Sequence, residues 1–208
     1  RQRRSVRRYR DKPVPLELLD KMTQAASAAP TGSGSTSTGV IIVDRPQALA
    51  ALSACAFKMY QELDKALGNP IARYFIKRKV GEKTLAMLQG FVMPGMRWYM
   101  RWRQEGQGDE ILRDCPALML FHAPRLEPMG EENCLLAAHH AVQMGQILGV
   151  GSCFNHLIPP ACNRVPELRQ MLGLPAEQEV HTSLTLGLPK HAYRRVPPRR
   201  LAGTRYLE

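Results

Sequence analysis

The chain has 208 residues, of which 44% are hydrophobic, and a formal net charge of +11. That length and apolar content exclude a disordered polypeptide and suffice for one domain with its own core. The charge calls for an anionic partner (a phosphorylated cofactor, an acidic protein, nucleic acid or a membrane surface) and does not choose among them.

The cysteines are Cys55, Cys115, Cys134, Cys153 and Cys162. Their odd number and the absence of a CxxC pair argue against a zinc site and a disulfide scaffold, and fit a reducing cytoplasm. No apolar run reaches the roughly 18–20 residues of a membrane span, and no signal peptide, internal repeat or low-complexity linker is visible.

Arg3-Arg4-Ser5-Val6-Arg7 opens the chain. Arginine forks match phosphate oxygens bidentately, and each charge-assisted hydrogen bond is worth roughly 1.5–3 kcal/mol. In an extended strap Arg3, Ser5 and Arg7 share one side and Arg4 points elsewhere. The bland alternative is a solvated basic terminus.

Pro13-Val14-Pro15 closes this strap, and 16–29 reads as an amphipathic helix, with Leu18, Leu19, Met22, Ala25, Ala26 and Ala29 inward. Pro30 stops it. Thr31-Gly32-Ser33-Gly34-Ser35-Thr36-Ser37 is a loop whose backbone can approach a ligand closely. Gly39–Val43 reads as a central strand buried on both faces. Helices are expected over 46–67, 70–79 and 84–92, with Pro94-Gly95 breaking the last.

The stretch 96–103 holds both tryptophans among arginines. It fits a packed helix with snorkelling arginines, a lid over a planar ligand, or a contact with an anionic membrane surface. A second buried strand is expected over 116–121 and a long helix over 131–148, whose small residues permit close packing, as across a dimer axis. His139 and His140 face different ways on such a helix and do not make a metal site. Gly149-Val150-Gly151-Ser152-Cys153-Phe154-Asn155 is a glycine-punctuated turn into a short strand. A short helix over 165–172 and an alternating strand over 180–186 follow. Prolines make the tail Arg194-Arg195-Val196-Pro197-Pro198-Arg199-Arg200 extended.

Taken together, Arg3-Arg4-Ser5-Val6-Arg7-Arg8-Tyr9, Pro13-Val14-Pro15, Ala28-Ala29-Pro30-Thr31-Gly32-Ser33, Leu148-Gly149-Val150-Gly151-Ser152-Cys153, Leu184-Thr185-Leu186-Gly187-Leu188-Pro189 and Pro197-Pro198-Arg199-Arg200 resemble the FMN-dependent nitroreductases in order and spacing. The resemblance spans essentially the whole chain, and its ending looks closest to the branch in which a ferredoxin-like domain precedes the flavin domain. The cluster cysteines of such a domain would lie outside this chain.

That resemblance implies an α+β fold over residues 1–208: a three-layer α/β/α arrangement with a mixed, mostly antiparallel sheet, forming an intertwined homodimer with FMN at the interface. It implies that Arg3 and Ser5, with Arg4 in the same motif, hold the FMN phosphate, that Arg7 approaches the ribityl chain or pyrimidine edge, and that Arg199 or Arg200 completes the phosphate site. Pro30, Thr31, Gly32 and Ser33 would reach the flavin from the other subunit. Phe154, Asn155, His156 and Leu157 would line the ring face or its N5 edge, and Arg113 is the nearest candidate cation for the N1–O2 edge. Many relatives carry an Asn and a Gln-Pro where this chain has Gly34, Thr36 and Ser37.

The implied activity passes hydride or electrons from NAD(P)H or an iron–sulfur partner to a small, aromatic nitro- or quinone-like acceptor, its pocket set by 91–102. No protein nucleophile, catalytic acid or metal is called for, and neither nucleic acid nor membrane is expected as a partner. The alternatives are a non-enzymatic basic module binding nucleic acid or anionic membrane, and an FMN-binding relative that breaks down flavin or removes halogens.

Overall fold

Alternation along one strand sets the architecture. In the computed structural model, which describes residues 3–192 and 202–206 and only the backbone of Ser33, β2 (Ala117–Pro124) is buried on both faces. Leu118 and Leu120 point into one apolar cluster, and Ala117, Met119, Phe121 and Ala123 into another. Full burial of each large side chain here is worth about 1.5–3 kcal/mol.

The sheet has four strands in the order β1-β2-β4-β3, where β1 is Gly39–Val43, β3 is Gly151–Phe154 and β4 is Gln178–Gly187. All three pairings among the described residues are antiparallel. One face is covered by α1 (Leu16–Ser27) and α6 (Gly130–Ile147), through Leu19, Met22, Cys134, Ala138 and Val142. The other face takes α2 (Pro46–Gly68), α7 (Pro159–Arg164) and α8 (Pro166–Met171), through Leu52, Tyr60, Ala161 and Leu168. Helices therefore flank the sheet on both sides, as expected of a three-layer α+β fold. Between α2 and β2 the chain makes a helical excursion: α3 (Pro70–Val80), α4 (Glu82–Met87), a π-helical turn over Leu88–Val92, and α5 (Met93–Gln104).

Four local expectations are corrected. Among the described residues β1 is an edge strand, paired only with β2 and half-buried over most of its length; β-branched composition reports fit to a pleated surface, not a central position. Pro94 does not end the helical run. It sits in the first turn of α5, and the preceding π-turn lets the chain absorb the missing N–H. Pro159 and Pro160 likewise start α7, which the sequence reading omitted. The small residues of α6 pack against α1 and the sheet within the protomer: a Cβ on Gly145 would lie 2.9 Å from Met22 Cε. Leu135 and Leu136 are the ones turned outward.

All five cysteines are free. Burial pushes the thiols of Cys115, Cys134 and Cys162 up to about 12. At neutral pH a thiol reagent should therefore modify half-buried Cys55 well before these three, as mass mapping of briefly labelled native protein will show; labelling of Cys134 at the rate of Cys55 would contradict it. The same burial makes stability fall as pH rises. Above the ordinary thiol value of 9.0 the unfolded chain releases protons that the folded chain keeps until about 12, so the denaturant midpoint should drop steadily across that window.

Candidate functional site

Val6 anchors the basic strap. Its amide donates to the Ser152 carbonyl at 2.9 Å, and its side chain fills the space beside Gly151, where a Cβ would come within 2.8 Å of it. The strap continues to the chain leaving β4: Arg10 N–H donates to the Leu188 carbonyl, Lys190 N–H to the Arg8 carbonyl, and Tyr9 bridges to Pro189. Tyr9 is buried, and its hydroxyl donates to the Val6 carbonyl at 2.7 Å.

The side chains along the strap follow from this anchor. Arg4 and Val6 line a common cavity of about 360 Å³ with Gly149, Gly151, Ser152 and His191. Arg3 and Ser5 are half-buried and Arg7 is exposed. Arg4 thus shares the Val6 side of the strap.

Arg8 behaves differently from its neighbours. Its Nη1 donates to Glu110 Oε1 at 2.7 Å, and the other carboxylate oxygen accepts from Arg113 Nη1 at 2.8 Å. Glu110 is 6% exposed. Arg113 also donates to the Tyr99 hydroxyl at 3.2 Å, which ties α5 to the same cluster. Arg113 and Asp114 both hold positive φ, 61° and 49°, a left-handed pair of non-glycine residues that costs about 1–3 kcal/mol per residue unless its surroundings enforce it.

Following β3 leads to Phe154, Asn155, His156 and Leu157. The Asn155 side chain is committed to the fold: its Nδ2 donates to the Ile111 carbonyl at 2.7 Å and its Oδ1 accepts from the Leu157 amide at 3.0 Å. It therefore holds the 110–113 turn against β3, and the surfaces left for a ligand are those of Phe154, exposed His156 and Leu157. The Phe154 and His156 rings lie nearly parallel, 6.2 Å apart. The Leu157 carbonyl accepts from Tyr60, whose hydroxyl burial pushes up to about 12.

The chain thus brings together the strap, the 110–113 turn and 154–157. It does not bring Pro30, Thr31, Gly32 and Ser33 to them. The Gly32 amide donates to Asn133 Oδ1 at 2.8 Å, near the start of α6, whereas the strap lies where α6 ends and β3 begins. The sixteen residue steps from Asn133 to Gly149 span about 24 Å at helical rise. Around the loop, Thr31, Gly34, Ser35, Thr36, Thr38 and Asn133 line a second cavity of about 510 Å³. Among the described residues, buried Asn133 Nδ2 has no hydrogen-bond partner there. Gly34 takes φ 66°, and Ser35 and Ser37 pair through their hydroxyls, so the departures from the relatives' loop form a self-bonded turn. Arg199 and Arg200 lie outside the described residues.

The donor set fits a flat, phosphorylated cofactor. Among the described residues neither Arg3 nor Arg7 is paired with a carboxylate, while Arg8 is, so two guanidiniums and the Ser5 hydroxyl remain for an anion. A further cavity of about 550 Å³, between the strap's far end and α2, is lined by both signs, including Lys12, Arg103, Asp44 and Asp114, and does not offer that chemistry. No group of three metal-ligating side chains occurs among the described residues. Glu110 and Tyr99 were not picked out from sequence; a lone glutamate in a polar turn carries no signal of Arg8, 102 positions away.

A Thermus thermophilus protein named NADH dehydrogenase is 29% identical over 188 residues, covering 90% of this chain and 83% of that protein. The fold is similar to that of a Bacteroides fragilis nitroreductase solved with bound FMN, at a TM-score of 0.71, 20% identity and coverage of 99% and 94%. It is also similar to a Desulfitobacterium hafniense nitroreductase with bound FMN, at a TM-score of 0.70, 17% identity and the same coverages. The model of the nitroreductase family matches residues 1–188, the span from the basic strap to the end of the last strand, and the chain belongs to that family.

Proposed function

We propose that this chain is an FMN-dependent oxidoreductase, a single domain over residues 1–208, working as a homodimer. The observation that carries the reading is the assembled half-site: Arg3, Ser5 and Arg7, uncommitted among the described residues, stitched through Val6 to β3, which leads directly into Phe154, His156 and Leu157. FMN, when bound, supplies the hydride and electron chemistry. Arg3 and Ser5 hold its phosphate, with Arg199 or Arg200 from the tail. Arg7 and Arg113 set positive charge beside the pyrimidine edge, where negative charge grows on reduction. Phe154, His156 and Leu157 wall the ring, and no side chain of the site has to act as nucleophile or acid.

The homodimer reading rests on the distance along α6. A loop held at the start of α6, with about 24 Å of helical rise between it and the turn that meets the strap, serves the same flavin as a strap only if a second copy presents it, and outward Leu135 and Leu136 offer that copy apolar surface on the intervening helix. The electron donor is NADH or NADPH, in line with the name of the Thermus relative. The acceptor is a small aromatic nitro compound or quinone received against 91–102, a stretch tied to the half-site by the Arg113–Tyr99 hydrogen bond. Five free thiols suit a cytoplasmic setting, and among the described residues no helix is long and apolar enough to cross a membrane.

The test is the absorbance spectrum of purified protein, with released cofactor identified by mass. Flavin bands and about one FMN per chain are the expected result, bleached anaerobically by NADH or NADPH. Colourless protein that also fails to take up added FMN would overturn the reading.

A further inference from the structure

Helix α3 is turned inside out by the usual standard of a surface helix. Its inward side is modest: Ala72, Ile76 and Val80 are half-buried, Ile76 packs on the core, and no residue of the helix is fully buried. Its larger apolar residues face the other way. Ile71 is 71% exposed, Tyr74 60% and Phe75 62%. At helical spacing Ile71, Tyr74, Phe75 and Arg78 fall on one outward stripe, with Lys77 on one flank and Lys79 on the other. Sequence reading had put a possible membrane contact on 96–103. There the Trp98 and Trp102 rings stack on each other at 5.0 Å, the Trp102 indole N–H bonds Gln107 and Arg97 pairs with Asp64, so that stretch is largely self-satisfied.

Charge chooses the occupant. Residues 70–104 contain eight Lys or Arg and one acid, Glu82, which is already paired with Lys77 at 2.9 Å. A second copy meeting this face through the same face would set Arg78 and Lys79 against their own likenesses, a like-charge contact that an isologous interface cannot avoid. A nucleic-acid backbone would satisfy the cations and leave Ile71, Tyr74 and Phe75 in water. An anionic lipid surface satisfies both: aromatic and aliphatic groups enter at headgroup depth, and lysine and arginine heads reach lipid phosphates from the flanks.

We propose that the α3 face of Ile71, Tyr74 and Phe75, ringed by Lys77, Arg78 and Lys79, docks this protein on an anionic membrane surface. The helix lies on the surface and does not cross it.

The test is flotation of the full chain, loaded with FMN, on vesicles of phosphatidylcholine alone and of phosphatidylcholine mixed with phosphatidylglycerol. Binding is expected only to the mixed vesicles and is expected to fall with added salt. The double variant Tyr74→Ser, Phe75→Ser should partition at least about tenfold more weakly, and Arg78→Glu with Lys79→Glu about as much. Phe75→Trp should show a blue-shifted emission on the mixed vesicles. All these residues are exposed, so flavin content and thermal midpoint are expected to stay at wild-type values. Absence of binding to the mixed vesicles, or equal binding by wild type and both double variants, would overturn the proposal. So would retention on duplex DNA without vesicle binding, or loss of oligomer mass in Phe75→Ser without it, which would assign the face to nucleic acid or to a second copy.

Discussion

Glu110→Ala should lower the unfolding free energy by about 2–4 kcal/mol and weaken flavin binding about tenfold. The carboxylate is 6% exposed and takes one arginine on each oxygen, Arg8 at 2.7 Å and Arg113 at 2.8 Å. Removing one member of a buried pair typically costs about 3–5 kcal/mol, because the remaining charge is left desolvated. Arg8 is half-exposed and recovers water, so the expectation sits below the top of that range. Arg113 cannot recover it as fully, at 19% side-chain exposure, and it belongs to the left-handed pair at 113 and 114 that needs outside support. The loss therefore reaches the turn, and through Arg8 the strap that presents Arg3, Ser5 and Arg7. Glu110→Gln keeps the shape and one acceptor and should fall between wild type and alanine. Denaturant unfolding and flavin titration of both variants measure the two effects separately. A wild-type midpoint in Glu110→Ala would mean that the bridge contributes nothing to the fold.

Much of the fold was readable because burial leaves periodic traces. The α1 and α2 patterns came through to within a few residues, and Gly39–Val43 was found with its observed limits, since apolar spacing and proline boundaries are local properties. What failed depended on neighbours. Edge or centre is decided by which strands flank β1, not by its own residues. Pro94 reads as a breaker, and the helix opened by Pro159 leaves no clear pattern, because a proline's tolerance depends on whether it falls in a first helical turn, and residue counts alone do not fix that. The site shows the same division. Resemblance supplied residue names; the fold supplied their commitments. Glu110 finds Arg8 across 102 positions, and Asn155 spends its amide on Ile111 across 44. Neither pairing has a local signature, and each adds a role: Arg8 becomes an anchor beside two guanidiniums without a carboxylate partner among the described residues, and Asn155 braces the 110–113 turn.

The separation of strap and loop leads to the prediction with the largest effect. Within one chain Gly32 is held at the start of α6 and Val6 beyond its end, so in the proposed homodimer each flavin site would take the strap of one copy and the Pro30–Ser33 loop of the other. Arg3→Ala with Ser5→Ala removes a charge-assisted and a neutral hydrogen bond to the phosphate, together about 2–4 kcal/mol, or roughly 30- to 1000-fold in flavin affinity. Thr31→Trp obstructs the loop's approach from the partner side. Each variant alone should purify nearly free of flavin. Co-expressed with different tags and isolated as the mixed dimer, they should regain one flavin per dimer at wild-type affinity. Both defects then fall in the same site, and the other site combines an intact strap with an intact loop. If loop and strap instead served the same flavin from the same chain, the mixed dimer would carry one defect in each site and remain empty. Flavin stoichiometry of the doubly tagged species separates the two arrangements without reference to turnover.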